Sequence, residues 1–165
     1  MLVIAIVAYL AWPWLLLFIG IQLGTTPPRP EITYGEFPFR LEYEINGERQ
    51  VIQDTLICEF DGFGADEGRG KYRKWKDRLA SGNERITLLK VDNNKEIEFV
   101  PGSAEYYMGD SDNGRGDSSF PNAVYFEKDS NGTKSGGVEA KELLDKYHIK
   151  LISWNPSPPI KNNFK

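Results

Sequence analysis

The chain has 165 residues, with 20 Lys or Arg against 24 Asp or Glu, a net charge of −4 and an isoelectric point near 5.1. Without a basic excess, the attraction to phosphate on which nucleic-acid binding depends is missing, and this argues against a nucleic-acid partner. A single Cys and a single His exclude an intrachain disulfide and leave a zinc site without its usual ligands.

Residues 1–23 carry no charged side chain. A helix of about 20 apolar residues is long enough to cross a bilayer. The run is longer than the apolar core of a cleaved signal peptide, no Lys or Arg precedes it, and no small-x-small cleavage site ends it. The sequence therefore predicts a single-pass transmembrane signal anchor over residues 1–24, with the membrane as the partner of residues 1–23 and the cell membrane as the location.

Two features refine this anchor. Pro13 predicts a kink in mid-span, and Trp12 and Trp14 lie away from the interfacial belt that Trp prefers. Tolerated bulk in a lipid-facing helix explains these two side chains, and packing on a second membrane helix is the alternative. Arg29 and Arg40 slightly favour a cytoplasmic domain by the positive-inside rule. An N-terminal anchor followed by a Pro-rich stalk and a β-rich domain is nevertheless a common outward layout, so we place the domain on the extracytoplasmic side.

Residues 25–30 predict a short polyproline-like stalk, and residues 31–165 predict a single globular domain. Apolar and charged residues alternate from Phe39 to Ile45, which predicts a strand with one wet face. The Asn46–Gly47 pair that follows is a strong hairpin signal, and the return strand runs to Phe60.

Residues 62–70 are predicted as a glycine-rich loop, and residues 71–76 fit either a strand or a helical turn. A second hairpin joins residues 86–91 to residues 96–100 through a turn at 92–94. The segments that follow are predicted as strands at 104–108 and 124–126 and as loops at 109–119 and 129–137.

Ala140, Leu143, Leu144 and Tyr147 form a single apolar stripe at helical spacing. Residues 149–154 then predict a closing strand. Strands that come first and one late helix indicate an α+β protein. The predicted fold class is an N-terminal transmembrane helix followed by a mostly antiparallel β-rich domain, in which one C-terminal amphipathic helix covers a face of the sheet.

The candidate metal ligands are Asp110, Asp112 and Asp117. Closely spaced carboxylates on a loop bent by glycine are suited to a hard cation such as calcium. The spacing departs from an EF-hand because Gly114 takes the fifth position, where an oxygen ligand belongs. A solvated turn is the competing interpretation.

Three other patterns carry less weight. The glycine-rich loop at 62–70 lacks phosphate-loop spacing. Cys58 shares its strand phase with core residues and His148 ends a helix, which disfavours a Cys–His nucleophile pair. The spacing of the carboxylate pair Glu59 and Asp61 decides nothing by itself. We therefore assign no catalytic or cofactor-binding residue and expect no cofactor.

The segments DTLICEFDGFG at 54–64, GKYRKW at 70–75 and ISWNPSPPIK at 152–161 resemble uncharacterised membrane-anchored proteins of Gram-positive bacteria. The resemblance implies a bacterial envelope location and brings no activity, cofactor or site residue with it.

The leading functional hypothesis is a single-pass membrane protein whose domain acts as a binding or structural module. One alternative is a membrane-tethered hydrolase that uses carboxylates or a cation bound at residues 110–117. Another is an accessory subunit of a membrane complex, suggested by Trp12, Trp14 and Pro13.

Overall fold

The computed structural model describes residues 2–111, 118–130 and 132–165, without the side chains of residues 2–6, 8, 18, 21 and 22. Strands make up a larger share of the described residues than helices do. The elements in chain order are α1 (Leu2–Leu23), β1 (Tyr34–Ile45), β2 (Glu48–Asp66), β3 (Gly70–Leu79), β4 (Ile86–Lys90), β5 (Lys95–Phe99), α2 (Ala104–Tyr107), β6 (Ala123–Asp129), β7 (Gly132–Val138), α3 (Ala140–Tyr147) and β8 (Ile149–Pro156).

Helix α1 forms in the apolar N-terminal segment and contains Pro13. Within the part of the chain that the structure describes, no helix meets the combined requirements of length and hydropathy for a membrane span. The predicted transmembrane signal anchor, the fold class that includes it, and the single-pass membrane location with an extracytoplasmic domain are therefore wrong. A helix partner for residues 1–23 stays a prediction.

The strands form two antiparallel four-stranded sheets, ordered β3-β2-β1-β8 and β4-β5-β6-β7. The β1–β2 hairpin turns at Asn46 and Gly47, whose φ angles of 52° and 82° are the positive values that a tight two-residue hairpin turn requires. The expectation of one sheet was wrong. Strands β4 to β7 pair only with their sequence neighbours, and the chain then returns through α3 to place β8 beside β1.

A common core joins the two sheets. Leu41 and Cys58 of the first sheet and Ile97 of the second are all fully buried in one apolar cluster. Trp154 of β8 contacts both sheets, with its ring 5.1 Å from Phe39 and 4.7 Å from Phe99. Helix α2 packs on β2 and β3, and α3 packs on β8. Burial of this cluster is the main source of stability, because apolar area removed from water is the dominant favourable term in folding.

Several local predictions need correction. Residues 104–107 form α2 rather than a strand, because the Ser103 side chain caps the helix by accepting from the backbone N–H of Tyr106. Part of the segment expected as a loop at 129–137 is β7, which pairs along its whole length with β6. The glycine-rich segment is largely strand, since β2 continues past a bulge between Phe60 and Phe63 to residue 66.

The C-terminal tail, residues 157–165, closes over the segment that enters the domain. Pro30 is buried and bridges to Phe164. The Asn162 side chain accepts from the Ile32 N–H at 3.0 Å and donates to the Ile32 carbonyl at 2.8 Å. The backbone N–H of Glu31 donates to the Asn163 carbonyl at 2.9 Å. These bonds hold the two ends of the β-domain together.

Candidate functional site

The carboxylate of Asp110, the first predicted metal ligand, already accepts hydrogen bonds from two side chains of β3. The Asp110 side chain is 7% exposed, and the carboxylate accepts from Arg73 Nε at 2.8 and 2.9 Å and from Trp75 Nε1 at 2.7 Å. Asp112 and Asp117 lie outside the described residues. Elsewhere in the described chain, no three His, Cys, Asp or Glu side chains are grouped as a metal site would require. Asp110 thus joins β3 to the segment that follows α2.

The other sequence candidates are dispersed. Cys58 is fully buried, and burial raises the pKa of its thiol to about 12, with smaller contributions from Asp77 and Glu105. A thiol with so high a pKa stays protonated and is a poor nucleophile. His148 lies on the surface at the end of α3. Glu59 pairs with Lys76 and Arg78, and Asp61 pairs with Lys74, in ion pairs across β2 and β3.

A cleft of about 550 Å³ lies between the second sheet and part of the first. One wall comes from β2 and β3, through Ile52, Asp54 and Leu79, and the other comes from β4, β5 and β6. This volume is within the range of small-ligand sites, about 300–1,000 Å³. The polar and aromatic side chains of the second wall are Arg85, Thr87, Lys90, Glu96, Glu98 and Phe126.

Strand register explains why these side chains meet. Glu96 pairs with Phe126 across β5 and β6, and Glu98 lies two residues further along β5 on the same face. Ile97 and Phe99 point to the opposite face and enter the core. Lys90 Nζ lies 3.6 Å from Glu96, and Thr87 Oγ1 donates to Glu96 at 3.3 Å. The cleft wall is therefore a polar sheet face with charges of both signs.

Glu98 is the one buried charged residue among those that the structure describes. Burial raises the pKa of its carboxyl, and the bond from Arg85 opposes that rise. Arg85 Nη1 lies 3.2 Å from Glu98 Oε1, while the guanidinium carbon lies 4.0 Å from the centre of the Phe126 ring. Arg85 thus bridges a buried carboxylate and an aromatic face.

A smaller recess of about 180 Å³ adjoins the cleft and shares Arg85, Glu98 and Phe126 with it. Apolar side chains, including Leu56 and Phe99, form much of its wall. Asp77 also borders the recess, and its pKa is raised by burial and further by Glu105.

Strand β4 forms one edge of the second sheet, with β5 on one side and no described strand on the other. Three of its residues, Ile86, Thr87 and Lys90, line the cleft. The ladder to β5 is irregular between Thr87 and Leu89, where a bulge turns part of β4 out of register. The cleft therefore runs beside backbone groups that no described strand pairs.

Sequence reasoning missed this site. The segment Glu96-Ile97-Glu98-Phe99 alternates regularly, and alternation assigns both glutamates to solvent. The pairing of Arg85 with Glu98 depends on the hairpin register, which brings the start of β4 beside the end of β5. Phe126 follows Val124 and Tyr125 in a run with no alternation, so no signal placed it on the polar face.

Comparison of the chain with protein-family models, with curated proteins and with solved structures finds no match.

Proposed function

We propose that this protein is a peptide-binding module that adds an extended segment of a partner to the free edge of β4. The observation that carries the proposal is the juxtaposition of an edge strand with this cleft. In strand addition, main-chain hydrogen bonds to the edge supply affinity, and pockets beside the edge select side chains. The proposal keeps the binding module of the leading hypothesis and drops its membrane anchor.

The dimensions and charges of the cleft support this function. The five residues of β4 present about 17 Å of edge, enough for a short extended peptide. Lys90, Glu96 and Glu98 place charges of both signs along the cleft, which suits the mixed side chains of a peptide. The opposite edge of the same sheet, β7, lines neither the cleft nor the recess.

The test is a selection of random twelve-residue peptides displayed on phage against the immobilised full chain. Enriched peptides are synthesised and titrated into wild type, Thr87→Trp and Thr133→Trp. Thr87 lines the cleft on β4, whereas Thr133 is exposed on β7, so the two variants make the same change at opposite edges. We expect at least a tenfold loss of affinity in T87W and none in T133W.

Hydrogen exchange of the wild-type protein provides a readout that does not depend on either variant folding. A bound peptide should slow the exchange of β4 amides and leave β7 amides unchanged. Peptides that bind equally well to both variants, or that protect β7 instead, would refute strand addition at β4. A selection that enriches nothing would refute the peptide-binding function itself.

A hydrolase that works through carboxylates is a second candidate function, favoured by one observation. Burial raises the pKa of Glu98 and of Asp77, and both residues border the same recess. Carboxyl groups that keep their proton to higher pH are suited to general acid catalysis. Turnover of chromogenic glycosides by wild type that is lost in Glu98→Gln would support this function. Background rates in both proteins would exclude glycoside hydrolysis.

A further inference from the structure

We infer that the cleft recognises an arginine side chain of its peptide, and that Arg85 fills the seat for this side chain while no peptide is bound. The inference rests on the proposed peptide-binding function and names the chemical group that the site selects. We use the term arginine seat for the Glu98 carboxylate together with the face of Phe126.

The arginine seat has the two groups that a guanidinium prefers. The Glu98 side chain is only 5% exposed, so its carboxylate interacts with a cation in a setting of low dielectric. The Phe126 ring offers a flat π-face, on which a planar guanidinium stacks better than a compact ammonium does. Arg85 makes both contacts, at 3.2 Å and 4.0 Å, and so shows how a guanidinium fits the seat.

Arg85 is a replaceable occupant. Its side chain is 43% exposed, and it precedes the first residue of β4, outside the β4–β5 ladder. The connection that carries it is fixed at Ser81, whose N–H and hydroxyl donate to Asp54. Residues 82–85 beyond that point are exposed. The guanidinium of Arg85 can therefore swing out of the cleft while the strand and the start of the connection stay in place.

Exchange of one guanidinium for another also satisfies the electrostatics. A buried carboxylate left without a cationic partner is costly, so departure of Arg85 alone is unfavourable. A ligand guanidinium that enters as Arg85 leaves keeps Glu98 paired throughout. Glu84 and Asp77 border the same recess and provide further negative potential for an incoming cation. Arg85 therefore acts as an internal competitor that lowers the affinity of wild type for arginine.

The experiment uses N-acetyl-argininamide as the probe and N-acetyl-citrullinamide as its matched control, because the urea group of citrulline has the same shape without the charge. Isothermal titration is carried out on the full chain as wild type, Arg85→Ala and Arg85→Ala/Glu98→Gln. We expect R85A to bind the arginine probe at least tenfold more tightly than wild type does. The citrulline probe and the double variant should show no binding.

A second measurement avoids dependence on the folding of R85A. Wild type labelled with 15N at arginine side chains is titrated with unlabelled probe, and the Nε–Hε signal of Arg85 is followed by NMR. Displacement should move that signal to the position of a solvent-exposed arginine, while the signal of Arg73, held by Asp110, stays unchanged. An Arg85 signal that does not move at saturating probe would overturn the inference, as would equal binding of the citrulline probe.

Failure of the inference is distinguishable from failure of the proposed function. Displayed peptides that bind at β4 but contain no arginine would leave the peptide-binding function standing and refute the arginine seat. If R85A binds the arginine probe but the selection enriches no peptide, the arginine seat stands and the peptide-binding function is refuted.

Discussion

Replacement of Asp110 by Ala will destabilise the fold, because it leaves Arg73 and Trp75 without the acceptor to which both donate. The side chain of Asp110 is 7% exposed and that of Arg73 is 18% exposed, so the ion pair is nearly out of water. Removing one partner of a buried ion pair costs about 3–5 kcal/mol. The remaining exposure of Arg73 places the expected loss near the lower end, at about 3 kcal/mol.

Two variants calibrate this expectation. Asp110→Asn keeps an oxygen that accepts from Trp75 Nε1 and loses only the charge, so it should cost roughly half as much as the Ala variant. Asp61→Ala removes an aspartate from the exposed ion pair with Lys74, in which both side chains are open to solvent. Exposed pairs contribute little, so this variant should unfold at nearly the wild-type urea concentration.

Urea unfolding followed by tryptophan fluorescence measures all three variants, and an unchanged slope shows that the same surface is exposed in each case. A loss below about 1 kcal/mol in D110A would refute the reasoning, because it would mean that the pair behaves like a surface ion pair. An equal loss in D61A would refute it as well, since burial would then not be the deciding factor.

Three further predictions concern the cleft, the tail and the thiol. Burial raises the folded-state pKa of Glu98, so the stability that wild type gains over Glu98→Gln is fully present below pH 4.5 and declines as the pH rises through the folded-state pKa. The slope of this decline is at most about 1.4 kcal/mol per pH unit. Urea titrations from pH 4 to pH 7 in which the stability difference between the two proteins stays constant or widens would contradict this. Gly109→Ala will cost roughly 2–3 kcal/mol of stability, because φ is 69° and the new Cβ would lie 2.5 Å from the Ile160 carbonyl oxygen. Gly82→Ala, at φ 79° in open space, should lose only the smaller cost of backbone strain. Equal melting temperatures for the two variants would contradict this, because they would mean that the C-terminal tail moves aside at no cost. Cys58 is fully buried with a thiol pKa of about 12, so a disulfide reagent should label it only in denaturant, and rapid labelling of the native protein would disprove this burial.

The sequence indicated the elements whose formation depends on neighbouring residues. The turn at Asn46 and Gly47 requires positive φ at both positions, and these two residue types tolerate it best. The apolar stripe of α3 and the alternation of β1 are likewise local patterns. Helix α2 was missed because four residues are too few for periodicity, and its capping by Ser103 was the available signal. Strand β7 was missed because its glycines and small polar residues have little β-propensity, so pairing with β6 decides its conformation.

The candidate site depended on long-range register and could not be predicted. Asp110 was singled out as a candidate metal ligand, but its partners Arg73 and Trp75 lie 37 and 35 residues away in the chain. Nothing in the local pattern distinguishes an aspartate that awaits a cation from one already held by an arginine. The division of the strands into two sheets, which creates the cleft, is also absent from any local pattern, since every antiparallel hairpin looks alike at the level of alternation.

Asp110 and Glu98 show how similar chemistry gives a structural group in one place and a candidate binding site in another. Both carboxylates are nearly buried and both are paired with arginine. Asp110 is held by two neighbouring side chains of one strand, and its arginine also donates to the Pro28 carbonyl at 3.3 Å. Displacing that arginine would break several bonds at once. Within the described residues, Glu98 is held by a bond from Arg85, a half-exposed side chain on a connection at the edge of a cleft large enough to admit a competitor. The ease with which the cationic partner can be exchanged, rather than burial of the carboxylate alone, is therefore what favours Glu98 as the recognition group.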